Sequence, residues 1–531
     1  MTRTIVIGGG IAGLATAALL AREGHTVTLL EQHAEVGGRA GSWERDGFRF
    51  DTGPSWYLMP EVFDHFFRML GTTADEQLEL VQLDPGYRVY GEGHADPLDV
   101  SASVDENLDL FESVEKGAAL RLAKYLDHAR EVYDLAKEHF LYSTFQRLGP
   151  VFGGDVTAQS GRLLRLLVEP LDSLTKRTVR DTRLRQILGY PAVFLGSAPK
   201  LAPSMYSLMS HLDLVDGVSY PLGGFTRVIE RIADLAREQG ADLQTSTSVH
   251  RIVVNEAGEV TGVEVTHGKG KKTSILDADV VVSTADLHHT ETVLLDREEL
   301  RTYPEEYWEK RTAGPGALLL MLGVSGELPE LEHHTLFFAK NWNAGFKAIF
   351  GDAPHVPETL SLYVCKASGV DSEVAPEGAE SLFVLVPLPA DPTLGRGGVD
   401  RGGDDGIEAL ADRVIAQIGD WAGIPDLAGR VVLRRTVGPG DFAADFNSWK
   451  GSALGPAHTL RQSAFFRSGN ISRKVKNLYY AGQSTIPGVG LPMCLISAEL
   501  VLKRIRGDVT STPLPESVRA GRAARMAKRE P

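Results

Sequence analysis

The architecture is indicated by residues 4–31, which read TIVIGGGIAGLATAALLAREGHTVTLLE. Residues 4–7 predict a short buried strand, because β-branched and apolar side chains favour a sheet that is covered on both faces. The apolar pattern of residues 11–23 predicts a helix that stops before a glycine, and residues 27–31 predict a second strand. A strand, a helix and a strand in this order form a βαβ unit, so we expect an α/β fold with a parallel sheet.

Three glycines occupy the turn between the first strand and the helix, in the pattern Gly8-x-Gly10-x-x-Gly13. Gly8 permits the tight turn, Gly10 lets the backbone approach a pyrophosphate, and Gly13 lets helix and strand pack closely. Glu31, 18 residues after Gly13, can accept hydrogen bonds from ribose hydroxyls and disfavours the 2′-phosphate of NADP. The alternative is a glycine-rich turn of an ordinary α/β protein. The predicted cofactor contacts are Gly8, Gly10, Ile11, Ala12, Gly13 and Glu31.

Two further turns follow this Rossmann-like unit. Gly37-Gly38-Arg39 begins six residues after Glu31, and Asp51-Thr52-Gly53-Pro54-Ser55 begins twelve residues after Arg39. An arginine on a glycine turn can donate two hydrogen bonds to pyrophosphate oxygens, and the second turn offers backbone N–H groups to a longer cofactor. This extension favours FAD over NAD, the alternative for the arginine being a solvated surface position. The predicted contacts are Gly38, Arg39, Gly53, Pro54 and Ser55.

The composition restricts the classes of protein that remain. The chain has 531 residues, with 55 Lys and Arg against 70 Asp and Glu, so its net charge of −15 argues against a nucleic-acid partner. The two cysteines, Cys365 and Cys494, predict neither a disulfide framework nor a metal site and fit a reducing compartment. The glycines at the start argue against a signal peptide, and no stretch of the sequence predicts a membrane-spanning helix.

The chain is long enough for more than one domain. The family resemblance described below implies a discontinuous cofactor domain built from residues 1–100, 215–305 and 468–510. A mixed α+β substrate domain is expected to be helical in residues 101–214 and to form a sheet in residues 306–467.

The sequence also predicts the structure of shorter segments. Residues 391–406 contain six glycines and are predicted to be a mobile surface loop. The basic tail, residues 511–531, is predicted to be disordered. A helix is predicted at residues 226–239. Strands are predicted at residues 249–254, 260–265, 280–282, 318–324, 362–365 and 382–388.

A long glycine motif near the C-terminus, residues 479–493, reads YYAGQSTIPGVGLPM. Together with the N-terminal turns and Tyr220-Pro221-Leu222-Gly223-Gly224, it resembles the bacterial phytoene desaturase (carotene desaturase) family, a branch of the flavin-containing amine oxidase superfamily. The resemblance covers nearly the whole chain and implies that both chain ends fold into one FAD domain. Gln483 stands where many relatives in the superfamily carry an acid. The implied contacts to FAD are Val249, Gly482, Gln483, Pro487, Gly488, Gly490, Leu491 and Pro492.

The resemblance implies a two-domain FAD-linked oxidoreductase that dehydrogenates phytoene stepwise towards lycopene. Within the same branch, the alternatives are a carotene isomerase and a desaturase of C30 or hydroxylated carotenoids. An amine oxidase-like flavoenzyme is a further alternative, which would need an aromatic cage or a carboxylate clamp. The last is a non-enzymatic prenyl-binding escort protein, against which the phosphate motifs and Glu31 argue.

No catalytic residue is recognisable in the sequence, which fits a reaction that the cofactor carries out. The pairs His288–His289 and His333–His334 lack neighbouring metal ligands in the sequence, which predicts solvated or capping roles. Some amine oxidases attach FAD through a C-terminal cysteine. Cys494 lacks the surrounding pattern and is predicted to be a buried, unreactive thiol.

Basic residues and leucines alternate at helical spacing in residues 161–185, where Pro170 is expected to kink the helix. The basic positions include Arg162, Arg165, Lys176 and Arg177. Because a polyene is confined to the bilayer, we hypothesise that this segment docks reversibly on the cytoplasmic side of the membrane. The alternative is a helix that packs in the core of the second domain. The oligomeric state stays open.

Overall fold

The structure is a computed structural model that describes residues 1–146, 165–194, 196–268 and 272–516. The first four residues of the predicted docking segment, 161–164, lie outside this range. The same holds for the predicted disordered tail from residue 517 onward. The described residues form several sheets and many helices, which confirms the predicted mixed α/β class.

All eight predicted strands are present close to their predicted positions, and most of them extend by one to three residues beyond the prediction; the other strands of the described residues were not predicted. In chain order they are β1 (Arg3–Ile7), β2 (Thr26–Leu30), β3 (Ser42–Arg45), β4 (Phe48–Asp51), β5 (Leu80–Gln82), β6 (Tyr87–Gly91), β7 (Leu98–Val100), β8 (Ser219–Pro221), β9 (Asp242–Gln244), β10 (Thr247–Val254), β11 (Val260–His267), β12 (Thr273–Asp277), β13 (Val280–Ser283), β14 (Gly316–Ser325), β15 (His334–Phe338), β16 (Leu362–Lys366), β17 (Ala379–Leu388), β18 (Val431–Val437) and β19 (Leu478–Tyr480).

The helices connect these strands and cover the sheets that they form. They are α1 (Ile11–Arg22), α2 (Pro60–Met69), α3 (Ala74–Gln77), α4 (Val104–Val114), α5 (Ala118–Ala136), α6 (Leu171–Thr178), α7 (Thr182–Gly189), α8 (Pro191–Phe194), α9 (Leu208–Leu214), α10 (Gly224–Glu238), α11 (Leu287–His289), α12 (Glu305–Glu309), α13 (Trp342–Phe350), α14 (Asp405–Ala422), α15 (Leu427–Arg430), α16 (Pro439–Phe446) and α17 (Leu491–Arg506). Single π-helical turns follow α5 at Lys137–Leu141 and α11 at Thr290–Leu294.

The first sheet is parallel, with its strands in the order β19-β13-β1-β2-β9. Its central strand places Val6 opposite Leu29 of β2 and opposite Val282 of β13. All three side chains are buried, as expected for a parallel sheet covered on both faces. The strands come from the start, the middle and the end of the chain, so distant segments meet in one sheet.

Helix α1 packs between α10 and α17 and is buried along most of its length. Its small side chains Ala15, Ala17 and Ala18 are fully buried and let the neighbouring helices approach closely. Gly10 is the N-cap, and the first turn carries no acidic residue. No acidic side chain of the first turn therefore neutralises the positive end of the helix dipole. This end points towards the carboxyl edge of the sheet, where ligands bind in open α/β folds.

The second sheet is mixed, in the order β18-β14-β17-β16-β15-β6-β7, with β15 and β6 parallel and the other pairs antiparallel. Successive residues of β14 point to opposite faces: Leu318 packs with the apolar side of α14, and Leu319 lies on the face of α5 and α7. Strands β6 and β7 belong to this sheet, so residues 87–100 lie outside the first sheet although the sequence analysis grouped them with the cofactor segment.

Residues 391–406 differ from the predicted mobile loop. They form hydrogen bonds with neighbouring elements, since the N–H of Gly397 donates to Asp441 at 2.6 Å and that of Gly398 to Thr436 at 2.9 Å. A Cβ atom on Gly397 would lie 2.1 Å from the carbonyl oxygen of Thr436. The glycines here permit close packing, and the segment is a packed connection.

The predicted amphipathic helix of residues 161–185 is interrupted in its described part. Pro170 directly precedes α6, so it separates two helices where a kink was expected. Leu171 is buried and Leu167 and Leu174 are half-buried, so the described leucines of the predicted docking face pack at least partly against the rest of the protein. Ion pairs within the segment join Arg165 and Arg177 to Glu169, and Lys176 to Asp172. Among the described helices, none combines the length and apolarity that crossing a bilayer requires.

Candidate functional site

A cavity of about 560 Å³ begins at the carboxyl ends of β1 and β2 and reaches the second sheet. It gathers nearly all of the residues that the sequence analysis assigned to the cofactor. Those that line it are Gly8, Gly10, Ile11, Ala12, Glu31, Gly38, Arg39, Gly53, Pro54, Ser55, Val249, Gly482, Gln483, Pro487, Gly490, Leu491 and Pro492. Gly13 and Gly488 are not among the lining residues.

The first glycine turn shapes one end of the cavity. Gly8 has a φ of +100°, a conformation that favours glycine. A Cβ atom on Gly13 would lie 1.9 Å from the carbonyl oxygen of Gly8, so Gly13 serves the packing beneath the turn. A Cβ atom on Gly10 would have the Gly37 carbonyl oxygen as its nearest described neighbour, at 3.9 Å. The turn therefore leaves space at the N-terminus of α1 for a phosphate group.

Glu31 follows β2 at the edge of the cavity and is 5% exposed. Its carboxylate is fixed by two backbone donors: the N–H of Gly9 at 2.6 Å and the N–H of His33 at 2.8 Å, one to each oxygen. Each oxygen keeps a free lone pair that can accept a ribose hydroxyl. A phosphate at the same place would meet a fixed negative charge, which agrees with the exclusion of NADP.

Arg39 projects into the cavity, which contradicts the alternative of a solvated surface arginine. Its guanidinium donates to the hydroxyl of Ser448 at 2.9 Å and lies 5.2 Å from the ring centroid of Phe446. The Nε–H group has no partner among the described residues, and burial lowers the pKa of Arg39. A Cβ atom on Gly53 would lie 2.0 Å from the Arg39 carbonyl oxygen, so the two turns pack tightly. A half-buried cation with a spare donor fits an anionic ligand.

The C-terminal glycine motif forms another wall. Gly482 has a φ of +103°, and its N–H donates to the Ser497 hydroxyl at 3.0 Å. Gly490, with a φ of +117°, precedes α17, whose first turn contains no acidic residue. A second helix N-terminus therefore meets the cavity and favours an electron-rich group there. The side-chain amide nitrogen of Gln483 is buried without a described partner, as expected where a ligand supplies an acceptor.

Two buried residues that the sequence analysis did not single out hold this wall in place. Arg467 donates to the backbone carbonyls of Gln483 and Thr485, and burial lowers its pKa to about 10. The side-chain amide of Asn470 donates to the carbonyl of Ile486 at 3.1 Å. Their partners are backbone groups 16 to 18 residues further along the chain, which no local motif reveals.

The pair His333–His334 differs from its predicted solvated or capping role, because both side chains are buried. Strand pairing places Cys365 opposite His334, and ligand-type atoms of all three residues lie within 4.8 Å of one another. The expectation that this pair lacks neighbouring metal ligands is therefore wrong. His334 Nδ1 is 2.7 Å from the Tyr363 hydroxyl. Burial and the adjacent ammonium group of Lys366 together lower the pKa of His333 to about 3, and this ammonium group opposes a cation.

The other histidine pair and Cys494 are half-buried and buried, respectively. The carboxylate of Asp286 accepts hydrogen bonds from the backbone N–H groups of His288 and His289, so this pair lies in a capped helical turn. The thiol of Cys494 is buried, and burial raises its pKa to about 12. The predicted burial of Cys494 is confirmed, and its lack of reactivity stays a prediction.

Away from the glycine turns, the cavity wall is mostly apolar. Sheet residues and α13 form one side, and residues from α5, its π-helical extension and α9 form the other. The sheet side includes Leu319, Leu336, Phe338, Leu385, Trp342 and Phe346, and the helical side includes Ala136, Phe140, Leu141, Met205, Leu208 and Leu212. Such a wall binds a ligand by shape and by removal of apolar surface from water.

The arrangement as a whole fits a flavin dinucleotide. A fixed carboxylate suits ribose, a helix N-terminus and the half-buried guanidinium of Arg39 suit pyrophosphate, and a second helix N-terminus lies further along the cavity. The unpaired donors of Arg39 and Gln483 need acceptors that the described residues do not provide. A cofactor with two nucleotide halves satisfies all of these groups at once.

Comparisons with known proteins agree with this geometry. Residues 11–317 match the family described as flavin containing amine oxidoreductase. The chain is 38% identical to a carotenoid 3,4-desaturase of Haloarcula japonica, over 95% of this chain and 98% of the relative. It is 32% identical to a zeta-carotene-forming phytoene desaturase of Myxococcus xanthus, over 95% and 93%. A solved oxidoreductase from Methanosarcina mazei shares the fold at 17% identity, with a TM-score of 0.60 over 94% of this chain and 100% of the other.

Proposed function

Because the chain belongs to the flavin containing amine oxidoreductase family, we propose that it is an FAD-dependent carotene desaturase of carotenoid biosynthesis. The observation that carries the proposal is one cavity that joins the dinucleotide turns to an apolar wall. Relatives at 38% and 32% identity are named for carotenoid desaturation. Cyclohexylamine oxidase from Brevibacterium oxydans shares 14% identity with a TM-score of 0.56, which indicates the fold alone.

FAD is the cofactor, and when bound it supplies the hydride acceptor that forming a double bond requires. Glu31 would hold a ribose through its free lone pairs. Arg39 and the N-terminus of α1 would hold the pyrophosphate. The wall from Gly482 to Pro492 would lie along the flavin, where the N-terminus of α17 stabilises negative charge. The chain itself orients both ligands and excludes water.

The apolar wall suits a substrate without a polar handle. Burial contributes about 0.8 kcal/mol per CH₂ group, which is ample for affinity but discriminates weakly between positions along a polyene. We propose phytoene, dehydrogenated stepwise towards lycopene, as the substrate. The 38% identity to a carotenoid 3,4-desaturase favours a second candidate, in which the terminal 3,4 bond of a more unsaturated carotenoid is oxidised.

Anaerobic incubation of the purified yellow holoenzyme with phytoene or with lycopene separates these candidates. Loss of phytoene with appearance of longer chromophores supports the first, and conversion of lycopene alone supports the second. Flavin bleaching should accompany either conversion. If neither polyene is changed and the flavin stays oxidised, the proposed function is wrong. Protein that binds polyenes but purifies without FAD would favour the escort alternative.

We also propose peripheral contact with a bilayer, because a C40 hydrocarbon resides there. The structure offers a surface other than the leucine face of residues 161–185. Phe465 and Phe466 are 36% and 49% exposed and follow Ala464, which lines the cavity. Phe465 packs against Phe145, with ring centroids 6.3 Å apart, and Phe145 also lines the cavity. Exposed aromatic side chains at a cavity edge suit the membrane interface.

Co-sedimentation with phosphatidylcholine liposomes tests this surface. The double variant Phe465→Ser, Phe466→Ser should bind liposomes less than wild type does and retain its FAD. The matched control replaces Arg165, Lys176 and Arg177 with Glu, and it should retain binding because these side chains are already paired within their segment. Loss of binding in the charge variant alone would instead support docking through residues 161–185.

A further inference from the structure

A buried carboxylate lies behind the cavity wall. Asp213, at the C-terminal end of α9, is 4% exposed. Two tyrosines donate to the same oxygen of this carboxylate: Tyr190 at 2.8 Å and Tyr87 at 3.2 Å. Of these three residues, Tyr190 lines the cavity. The phenol of Tyr190 therefore connects the ligand space with Asp213.

Tyr190 lies where the cofactor end of the cavity meets the apolar wall. Its ring centroid is 6.0 Å from that of Trp56, the residue directly after the Gly-Pro-Ser turn. On the other side it is 6.1 Å from the ring of Phe338 in β15. A substrate that reaches the flavin along the apolar wall would pass this tyrosine.

The surroundings of Asp213 place its two protonation states close in free energy. The titratable groups that face it are Tyr87 from β6, Tyr125 from α5 and Tyr190 after α7. None of these tyrosines supplies a positive charge, and the C-terminal end of a helix disfavours an anion. Burial raises the pKa of Asp213 to about 7. Such a carboxyl can take up and release a proton near neutral pH.

Desaturation must release one proton for each hydride that leaves the substrate. We propose that Tyr190 is the catalytic residue that receives this proton, and that Asp213 is the positioning residue that accepts the phenol's own proton in exchange. This inference rests on the proposed function. The inference names a proton acceptor that no motif in the sequence identifies.

In this step the substrate loses one hydride and one proton from neighbouring carbons. The C–H bond next to the carbon that loses hydride breaks, and its electron pair forms the new C=C bond. The proton joins the phenol oxygen of Tyr190 while the original O–H proton passes to Asp213, so tyrosine remains a phenol and the carboxylate becomes a carboxylic acid. The hydride, with its two electrons, passes to FAD as the oxidant.

Tyr363 is a competing hydroxyl beside Trp56, as Tyr190 is. It contacts Ser55 at 2.6 Å and His334 Nδ1 at 2.7 Å. Burial holds the pKa of His334 well below its ordinary value, so this imidazole is a poor proton acceptor. The carboxylate behind Tyr190 accepts a proton far more readily, which selects Tyr190 over Tyr363.

Stopped-flow measurement of flavin reduction by the polyene tests the proposal on the holoenzyme. Tyr190→Phe and Asp213→Asn should each slow flavin reduction by about 100-fold or more, the usual contribution of a general base. Their FAD content should stay at the wild-type level. Tyr125→Phe is the matched control: it removes a buried phenol that bonds to Ser210 at 3.1 Å, and it should keep the wild-type rate. Wild-type rates in Tyr190→Phe would overturn the proposal.

Infrared titration of the substrate-free holoenzyme gives a readout that does not depend on turnover. A carboxylic acid band should appear as the pH falls through about 7 and should be missing in Asp213→Asn. Tyr87→Phe removes a donor that favours the ionised form, so the band and the pH profile of flavin reduction should both move to higher pH. If the band persists in Asp213→Asn, or if the two midpoints in Tyr87→Phe move apart, the assignment is wrong. If wild-type enzyme oxidises no polyene, the proposed function fails, and the band still reports on Asp213.

Discussion

Replacing Glu31 with alanine should weaken FAD binding more than replacing Gln483 with alanine. The Glu31 carboxylate is buried and accepts the N–H groups of Gly9 and His33 at 2.6 and 2.8 Å. Alanine removes the acceptors for ribose and also leaves both backbone donors without their partner. Glutamine keeps the volume and one oxygen acceptor but loses the negative charge. The series Glu31→Gln, Glu31→Ala therefore separates charge from hydrogen bonding.

The magnitude follows from the number of bonds lost. A hydrogen bond to a charged group contributes about 1.5–3 kcal/mol, so losing two ribose bonds costs about 3–6 kcal/mol. At 1.4 kcal/mol per factor of ten, the dissociation constant of Glu31→Ala should rise by about 100-fold to 10,000-fold. Glu31→Gln should fall between this value and the wild type. Gln483→Ala loses one neutral bond of about 1 kcal/mol and should weaken binding by less than about tenfold.

Fluorescence titration of apoprotein with FAD measures these constants, and thermal unfolding of each apoprotein separates loss of affinity from loss of fold. Because the Gly9 and His33 donors lose their partner in the apoprotein too, a lower melting temperature is expected for Glu31→Ala. The comparison at a temperature well below both transitions isolates binding. Equal dissociation constants for wild type and Glu31→Ala would refute the assignment of Glu31 to ribose.

Three further predictions rest on other parts of the site. Calorimetry on the apoprotein should show FAD binding far more tightly than NAD, because Arg39 and the C-terminal wall need a longer ligand; the reverse order would overturn the assignment of the cofactor. Gly53→Ala should lower the melting temperature sharply, since its Cβ atom would lie 2.0 Å from a carbonyl oxygen, whereas Gly345→Ala, with no atom within 4 Å, should be tolerated. Iodoacetamide should modify Cys494 slowly at pH 8, because its raised pKa of about 12 keeps the side chain a thiol. FAD should also separate from acid-denatured protein, and flavin that stays attached to the chain would contradict an unreactive Cys494.

The dinucleotide end of the cavity was predictable because its chemistry is encoded by neighbours in sequence. Gly8 and Gly13 act on each other across five residues, and Glu31 directly follows the adjacent strand of the same βαβ unit. Gly8 adopts a φ that other residues rarely adopt, and Gly13 leaves no space for a Cβ atom, so the sequence pattern carries direct information about the backbone. The C-terminal wall needed the family resemblance, since nothing local places residues 482–492 beside the N-terminus.

Residues 391–406 show where composition misleads. A run of glycines is typical of a flexible loop, and equally of a backbone that must pass close to another. Gly397 belongs to the second case, because Thr436 of β18 leaves no space for a Cβ atom. The two cases differ only in what lies opposite the glycine, and strand β18 is about forty residues away in the chain. Local sequence therefore could not choose between them.

The buried histidine cluster required knowledge of strand pairing. His333 and His334 have no other potential metal ligands near them in the sequence. The register of β15 against β16 nevertheless places Cys365 directly opposite His334. In an antiparallel pair, a shift of one residue would turn Cys365 to the other face. Without the register, the pair was indistinguishable from surface histidines.

Asp213 illustrates a signal that was present but unused. It lies in an apolar helix, and an acid in such a place is either exposed or tied to specific donors. Its partners Tyr87 and Tyr190 lie 126 and 23 residues away and come from a strand and a loop. Only their convergence shows that this aspartate faces the cavity through a phenol. A flavoenzyme with no recognisable acid or base in its motifs can thus still hold one, placed by the fold at the junction of its cofactor and substrate spaces.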